Sequence, residues 1–183
     1  MLPSDPLTAA RILIVDDEHT NVRLLEGILR RDGYTNVTST TDPRLVARLY
    51  ADFEPDLILL DLMMPRMDGF QVMSELRKGL AEGSYLPILV LTADMTSDAR
   101  NMALSMGAND FLTKPLDQHE VTLRIRNLLE TRSLYLRLRQ QQSILEEKVA
   151  ERTKELRHSL DVLERTAEEQ SKMLARLNAA QTT

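Results

Sequence analysis

The chain has 183 residues, enough for one ordinary domain and an appendage, and 43% of them are hydrophobic, which allows a sizeable core. Tryptophan is absent and aromatics make up only 4%, so that core must be built from Leu, Ile, Val and Met. A formal charge of −5 without a basic stripe makes the chain a poor binder of nucleic acid or anionic membranes, and the lack of cysteine excludes disulfides and thiolate metal sites. Residues Met1 to Ala10 carry Pro3 and Pro6 and no apolar run, so they do not read as a signal peptide. No stretch reaches the ~18 consecutive apolar residues that a membrane helix needs. A cytoplasmic protein without membrane or direct nucleic-acid partners is expected.

Along the chain, short aliphatic runs alternate with longer amphipathic ones. Ile12–Val15 is a continuous apolar run that ends in Asp16-Asp17. Thr20 to Arg31 has Val22, Leu25, Ile28 and Leu29 at helical spacing, and Gly33 lies where a helix end wants it. Asn36 to Thr40 is short and β-branched. Asp42-Pro43 reads as an N-cap followed by proline in the first turn, with Leu45, Val46 and Leu49 on the apolar side of the next helix. Leu57–Leu60 is a third buried strand. Asp68-Gly69 is a turn and helix start, and Gly69 to Lys78 is helical with Phe70, Val72, Met73 and Leu76 apolar. Pro87 to Leu91 is a fourth strand, Thr96 to Met106 a fourth helix closed by Gly107, and Phe111-Leu112 a short fifth strand. Five such runs alternating with helices predict an α/β fold, a doubly wound five-stranded parallel sheet covered on both faces. From Asp117, an N-cap with an acid at Glu120, no Gly or Pro recurs, and Leu returns every three or four residues to about Leu177. Val121, Leu123, Ile125 and Leu128 should pack on the domain.

Ligands of such sheets bind beyond the carboxyl ends of the strands. Asp16 and Asp17 follow the first strand and Asp61 the third; if those strands are neighbours, three carboxylates converge. They repel, and a hard divalent cation with oxygen ligands, Mg²⁺, relieves the conflict. One carboxylate can also act as a nucleophile toward phosphorus. Thr92 follows the fourth strand with a hydroxyl donor, and Lys114 follows the fifth with an ammonium that can pair with Asp61.

Ile14-Val15-Asp16-Asp17-Glu18, the run Asp61 to Gly69, Leu91-Thr92-Ala93 and Phe111-Leu112-Thr113-Lys114-Pro115 together resemble response-regulator receiver domains over roughly Ala10 to Glu130. The resemblance implies the CheY-like, flavodoxin-like strand order 2-1-3-4-5. It further implies that Asp61 is phosphorylated and that Asp16, Asp17, Asp61 and the main-chain carbonyl of Met63 bind Mg²⁺. Thr92 would be the switch hydroxyl, Lys114 the phosphate partner and Phe111 the aromatic that changes rotamer. Lys114-Pro115 would be cis, and the phosphoryl donor a sensor histidine kinase or phosphotransfer protein. Met63, Met64 and Met67 read as loop packing, and His19, His119 and His158 as solvent-facing.

Val149, Leu156, Leu163, Gln170 and Leu177 recur every seven residues, interleaved with Thr153, Leu160, Ala167 and Leu174. Leu138, Gln142, Leu145 and Val149 form a seam of different phase, so Val149–Thr153 is a stutter. A parallel coiled-coil homodimer is expected. The anticipated layout is a flexible N-terminus over 1–10, a receiver over 11–130, an extended coiled-coil helix over 131–178 and a disordered tail over 179–183. The stretches 124–132 and 146–156 resemble linker helices of regulators that carry an HD-GYP cyclic-di-GMP phosphodiesterase, and also some histidine-kinase and diguanylate-cyclase linkers; none of those enzymes' motifs occurs here. Two other functions compete: an aspartyl-nucleophile phosphohydrolase and an unphosphorylated coiled-coil adaptor. The first is disfavoured by Met63, which stands where a second, general-acid Asp would be needed. The complete acidic set argues against the second.

Overall fold

The structure, a computed structural model, describes residues 5–80, 83–93 and 96–181. Met1–Ser4 of the N-terminal segment and Thr182–Thr183 of the tail lie outside the described residues, as do the side chains of the seam positions Leu174 and Leu177.

Five strands, β1 (Arg11–Val15), β2 (Asn36–Thr40), β3 (Leu57–Asp61), β4 (Ile88–Thr92) and β5 (Asp110–Thr113), form one parallel sheet of order β2-β1-β3-β4-β5. Helices α1 (His19–Arg31), α2 (Val46–Phe53), α3 (Gly69–Gly79) and α4 (Ser97–Ser105) alternate with them, and α5 runs Gln118–Gln181. β1, β3 and β4 are apolar without alternation because both faces are covered. Ile12, Ile14, Leu57, Leu59, Leu89 and Leu91 meet Val22, Leu25, Ile28 and Leu29 of α1 and Val121, Ile125, Leu128 and Leu129 of α5. Leu13, Val15, Ile58, Leu60, Ile88 and Val90 meet Val46 of α2, Val72, Met73 and Leu76 of α3, and Ala103 of α4. Each fully buried aliphatic side chain contributes about 1.5–3 kcal/mol to this two-sided core.

Local chemistry sets the boundaries. Asp42 accepts from the Arg44 amide at 3.1 Å and caps a 3-10 turn over Pro43–Leu45, so α2 proper starts only at Val46 and Leu45 is exposed rather than core. Asp68 caps α3 with a full capping box: its side chain accepts from Gln71 N at 2.8 Å, and the Gln71 side chain accepts from Asp68 N at 3.1 Å. Asp117 accepts from Glu120 N at 2.9 Å at the start of α5. Leu123, expected on the domain face, is exposed: at ~100° per residue it lies about 200° round from Val121. Gly33 (φ 89°) and Gly107 (φ 105°) follow α1 and α4 in the left-handed region, as their positions predicted. The segment read as a flexible lead-in holds a 3-10 turn at Pro6–Ala9, capped by Asp5, with Leu7 and Ala10 against the core.

The first compact unit ends at Tyr135, five residues beyond the boundary expected at 130. There the Tyr135 ring lies 5.4 Å from that of Tyr85, the Tyr135 hydroxyl donates to the Gly83 carbonyl, and Arg132 donates to the Tyr85 carbonyl. The second unit, from Leu136 on, is the helix alone. Its described apolar seam residues Leu138, Leu145, Val149, Leu156, Leu160 and Leu163 are all exposed. No helix among the described residues is long and apolar enough to cross a membrane.

Candidate functional site

The register of the sheet gathers the predicted residues at one rim. β1 pairs with β3, so Asp16, one step past Val15, and Asp61, one step past Leu60, are neighbours. Oxygens of Asp16, Asp17 and Asp61 all lie within 4.8 Å of one another. Asp16 is fully buried and Asp61 is 3% exposed, whereas Asp17 is half-buried. Lys114, next after β5, reaches across: its Nζ lies 2.8 Å from Asp61 Oδ2 and 3.0 Å from Asp16 Oδ2. Its bond to Pro115 is cis. Thr92 ends β4 one residue past Leu91, the partner of Asp61, and its carbonyl accepts from the Lys114 amide at 2.9 Å. Gly69 is required here, since a Cβ on it would come within 2.5 Å of the Asp61 carbonyl oxygen.

Asp61 and Lys114 respond differently to their surroundings. Burial pushes the Asp61 carboxyl above its usual range, against the opposing hydrogen bonds from Lys114 and the Met63 amide. For Lys114 burial works to lower the ammonium's pKa, but hydrogen bonds to Asp61 and Asp16 outweigh it and hold the group above its usual value. Lys114 pairs with two of the three carboxylates, so the cluster carries two net negative charges when all its groups are ionised. An oxygen-only donor set with surplus negative charge fits a hard cation such as Mg²⁺.

Lone-pair use differs among the acids. A carboxylate offers about four acceptor sites. Asp61 receives Met63 N on Oδ1 at 3.1 Å and Lys114 on Oδ2 at 2.8 Å. The Asp17 side chain has no hydrogen bond or ion pair among the described residues. Asp61 and Asp17 therefore keep oxygens available to a cation or a phosphoryl group.

Two residues of this neighbourhood were not singled out from the sequence. Asn21, in the first turn of α1, places its Nδ2 at 3.1 Å from each Asp16 oxygen. The signal was available: an amide five residues after a strand-end acid, on the helix that begins there. Arg100 of α4 stacks over Phe111, its Cζ 4.2 Å from the ring centroid. Phe111 itself is half-buried at the edge of the second core layer. The methionines divide: Met64 is buried and Met67 partly so, but Met63 is 68% exposed and joins neither core layer, while its amide donates to Asp61. The three histidines are exposed, as read.

The fold is thus a doubly wound sheet of order 2-1-3-4-5 with three acids and one lysine gathered at its carboxyl rim. The chain belongs to the response regulator receiver family: residues 12–126 match the response regulator receiver domain. Over 135 residues it is 40% identical to the response regulator PleD of Caulobacter vibrioides (strain NA1000 / CB15N), covering 74% of this chain and 29% of PleD. It is 37% identical over 119 residues to the alkaline phosphatase synthesis transcriptional regulatory protein PhoP of Bacillus subtilis (strain 168), covering 65% of this chain and 48% of PhoP. The signal receiver domain of a signal transduction histidine kinase from Syntrophus aciditrophicus superposes with a TM-score of 0.60 at 32% identity, over 67% of this chain and 92% of that one. The chain thus spans less than half the length of these two curated relatives.

Proposed function

We propose that this chain is the phosphoacceptor of a cytoplasmic two-component phosphorelay, with Asp61 as the acceptor. The observation that carries the reading is the Asp61 carboxylate: buried, held by Lys114 at 2.8 Å and Met63 N at 3.1 Å, yet with acceptor sites left over. A sensor histidine kinase or phosphotransfer protein presents a phosphohistidine. An Asp61 oxygen attacks phosphorus, the P–N bond breaks, and the imidazole nitrogen keeps the electron pair. Asp16, Asp17, Asp61 and the Met63 carbonyl are the residues that would hold Mg²⁺, which when bound neutralises charge on the phosphoryl oxygens. Lys114 already faces Asp61 and is placed to pair with the new group, while Thr92 offers its hydroxyl from the adjacent strand end.

Phosphorylation adds about −1.5 to −2 charges at neutral pH. In this reading Thr92 and Lys114 draw toward the new charge, Phe111 turns inward, and the change passes from β5 to α5. The exposed seam beyond Leu136 carries it onward through a parallel coiled-coil homodimer or to an output domain. A phosphohydrolase reading is not favoured: two residues past Asp61 stands Met63, whose exposed thioether offers no proton. Incubation with labelled acetyl phosphate and Mg²⁺ tests the proposal. Wild type should take up label and Asp61→Asn should not; label retained on Asp61→Asn would reject the acceptor.

A further inference from the structure

Asp16 differs from the other two acids in being saturated. Its Oδ1 accepts from the Glu18 amide at 2.9 Å and from Asn21 Nδ2 at 3.1 Å. Its Oδ2 accepts from Lys114 Nζ at 3.0 Å and again from Asn21 Nδ2 at 3.1 Å. These contacts use the roughly four acceptor sites that a carboxylate has. Asn21 is thus the group that spans both oxygens, and it also leans on Glu18 Oε2 at 3.4 Å. Asp17 and Asp61, by contrast, keep free lone pairs.

A cation reaching the rim finds Asp17 and Asp61 ready and Asp16 occupied. Lys114 is shared with Asp61 and its charge is needed there, and the Glu18 amide is fixed by the start of α1. The neutral amide of Asn21, on a side chain with two rotatable bonds, is the contact that yields at least cost. We propose that Asn21 is a positioning residue that holds Asp16 closed against a divalent cation, so that direct metal binding by Asp16 requires the amide to release at least one of its oxygens. Asn21 therefore stabilises the metal-free fold and weakens the metal-bound one, setting the affinity of the rim rather than supplying a ligand. The inference rests on the reading that the rim binds Mg²⁺.

Titration of the full chain with Mg²⁺ alone, followed by calorimetry, tests this on wild type, Asn21→Ala and Asn21→Leu; the leucine keeps the volume if alanine loosens the fold. Both variants should bind Mg²⁺ about threefold to tenfold more tightly, the worth of one hydrogen bond to a charged group partly offset by lost order. Both should also unfold at lower urea in EDTA. A merely structural role would loosen the fold without tightening the metal. Affinity unchanged or weaker in both variants overturns the proposal for Asn21 while leaving the rim reading intact. Wild type that binds no Mg²⁺, or binds it equally after Asp17→Asn, overturns the rim reading and this proposal with it.

Discussion

Lys114 Nζ stands 2.8 Å from Asp61 Oδ2, the terminal ammonium of one strand end reaching the carboxylate of another across the strand between them. The same nitrogen contacts Asp16 at 3.0 Å, so one cation serves two buried acids. Removing it strands both. Lys114→Met should cost about 3 kcal/mol in EDTA, the order expected when one partner of a buried pair is lost, and Mg²⁺ should restore part of that. Urea unfolding with and without Mg²⁺ measures both. The raised ammonium pKa also fixes a sign. The pair's contribution is complete below the unfolded value of 10.5 and is lost as pH rises through the folded value, so wild type should converge on the variant in the alkaline range.

Asp61 is expected to be a liability to the metal-free fold. Its folded pKa lies above the unfolded 3.8, mainly through burial, so the neutral form is the one the fold prefers. Stability from this group is present below 3.8 and is lost as pH rises through the folded value. At neutral pH, Asp61→Asn should therefore unfold later than wild type in EDTA, by on the order of 1 kcal/mol. The advantage should shrink as pH falls toward 4. Thermal unfolding across that range gives the answer; a pH-independent difference would contradict the assignment of cause.

Tyr135 anchors the end of the first unit. Its ring meets Tyr85 at 5.4 Å and its hydroxyl serves the Gly83 carbonyl. Tyr135→Ala should destabilise the first unit by about 1–2 kcal/mol, combining an aromatic pair and one hydrogen bond. Tyr135→Phe should recover the ring's share. Amide exchange at Tyr85 and Leu86 is the direct readout.

The seam residues Leu156 and Leu163 are exposed among the described residues. If they join two copies, Leu156→Asp with Leu163→Asp should convert a dimer to a monomer in sedimentation equilibrium without shifting the unfolding of the first unit. A wild type that sediments as a monomer at micromolar concentration would reject the dimer.

The sheet was legible because β1, β3 and β4 are unbroken aliphatic runs that alternate with amphipathic helices, the pattern of a parallel sheet covered on both faces. The rim was legible because each of Asp16, Asp61, Thr92 and Lys114 stands at or just after a strand end, where side chains converge whatever the loops do. Asn21 escaped because its one signal, an amide five residues after a strand-end acid, does not tell whether the side chain faces solvent or the carboxylate; the exit angle of α1 decides. Leu45 and Leu123 misled for a related reason. Their hydrophobicity said core, but a 3-10 turn at Pro43 and the helical angle from Val121 turned them outward. The first unit ends at Tyr135, where its ring meets that of Tyr85 at a tilt, a pairing of residues far apart in sequence that no local pattern announces.

The central claim, that Asp61 takes the phosphoryl group, is tested most directly by chemistry on the acyl phosphate itself. After phosphorylation by acetyl phosphate and Mg²⁺, borohydride reduction converts a phosphorylated aspartate to homoserine, and peptide mass spectrometry locates it. Homoserine at position 61 alone is the predicted result. Homoserine at 16 or 17, or none at any aspartate, would contradict the account.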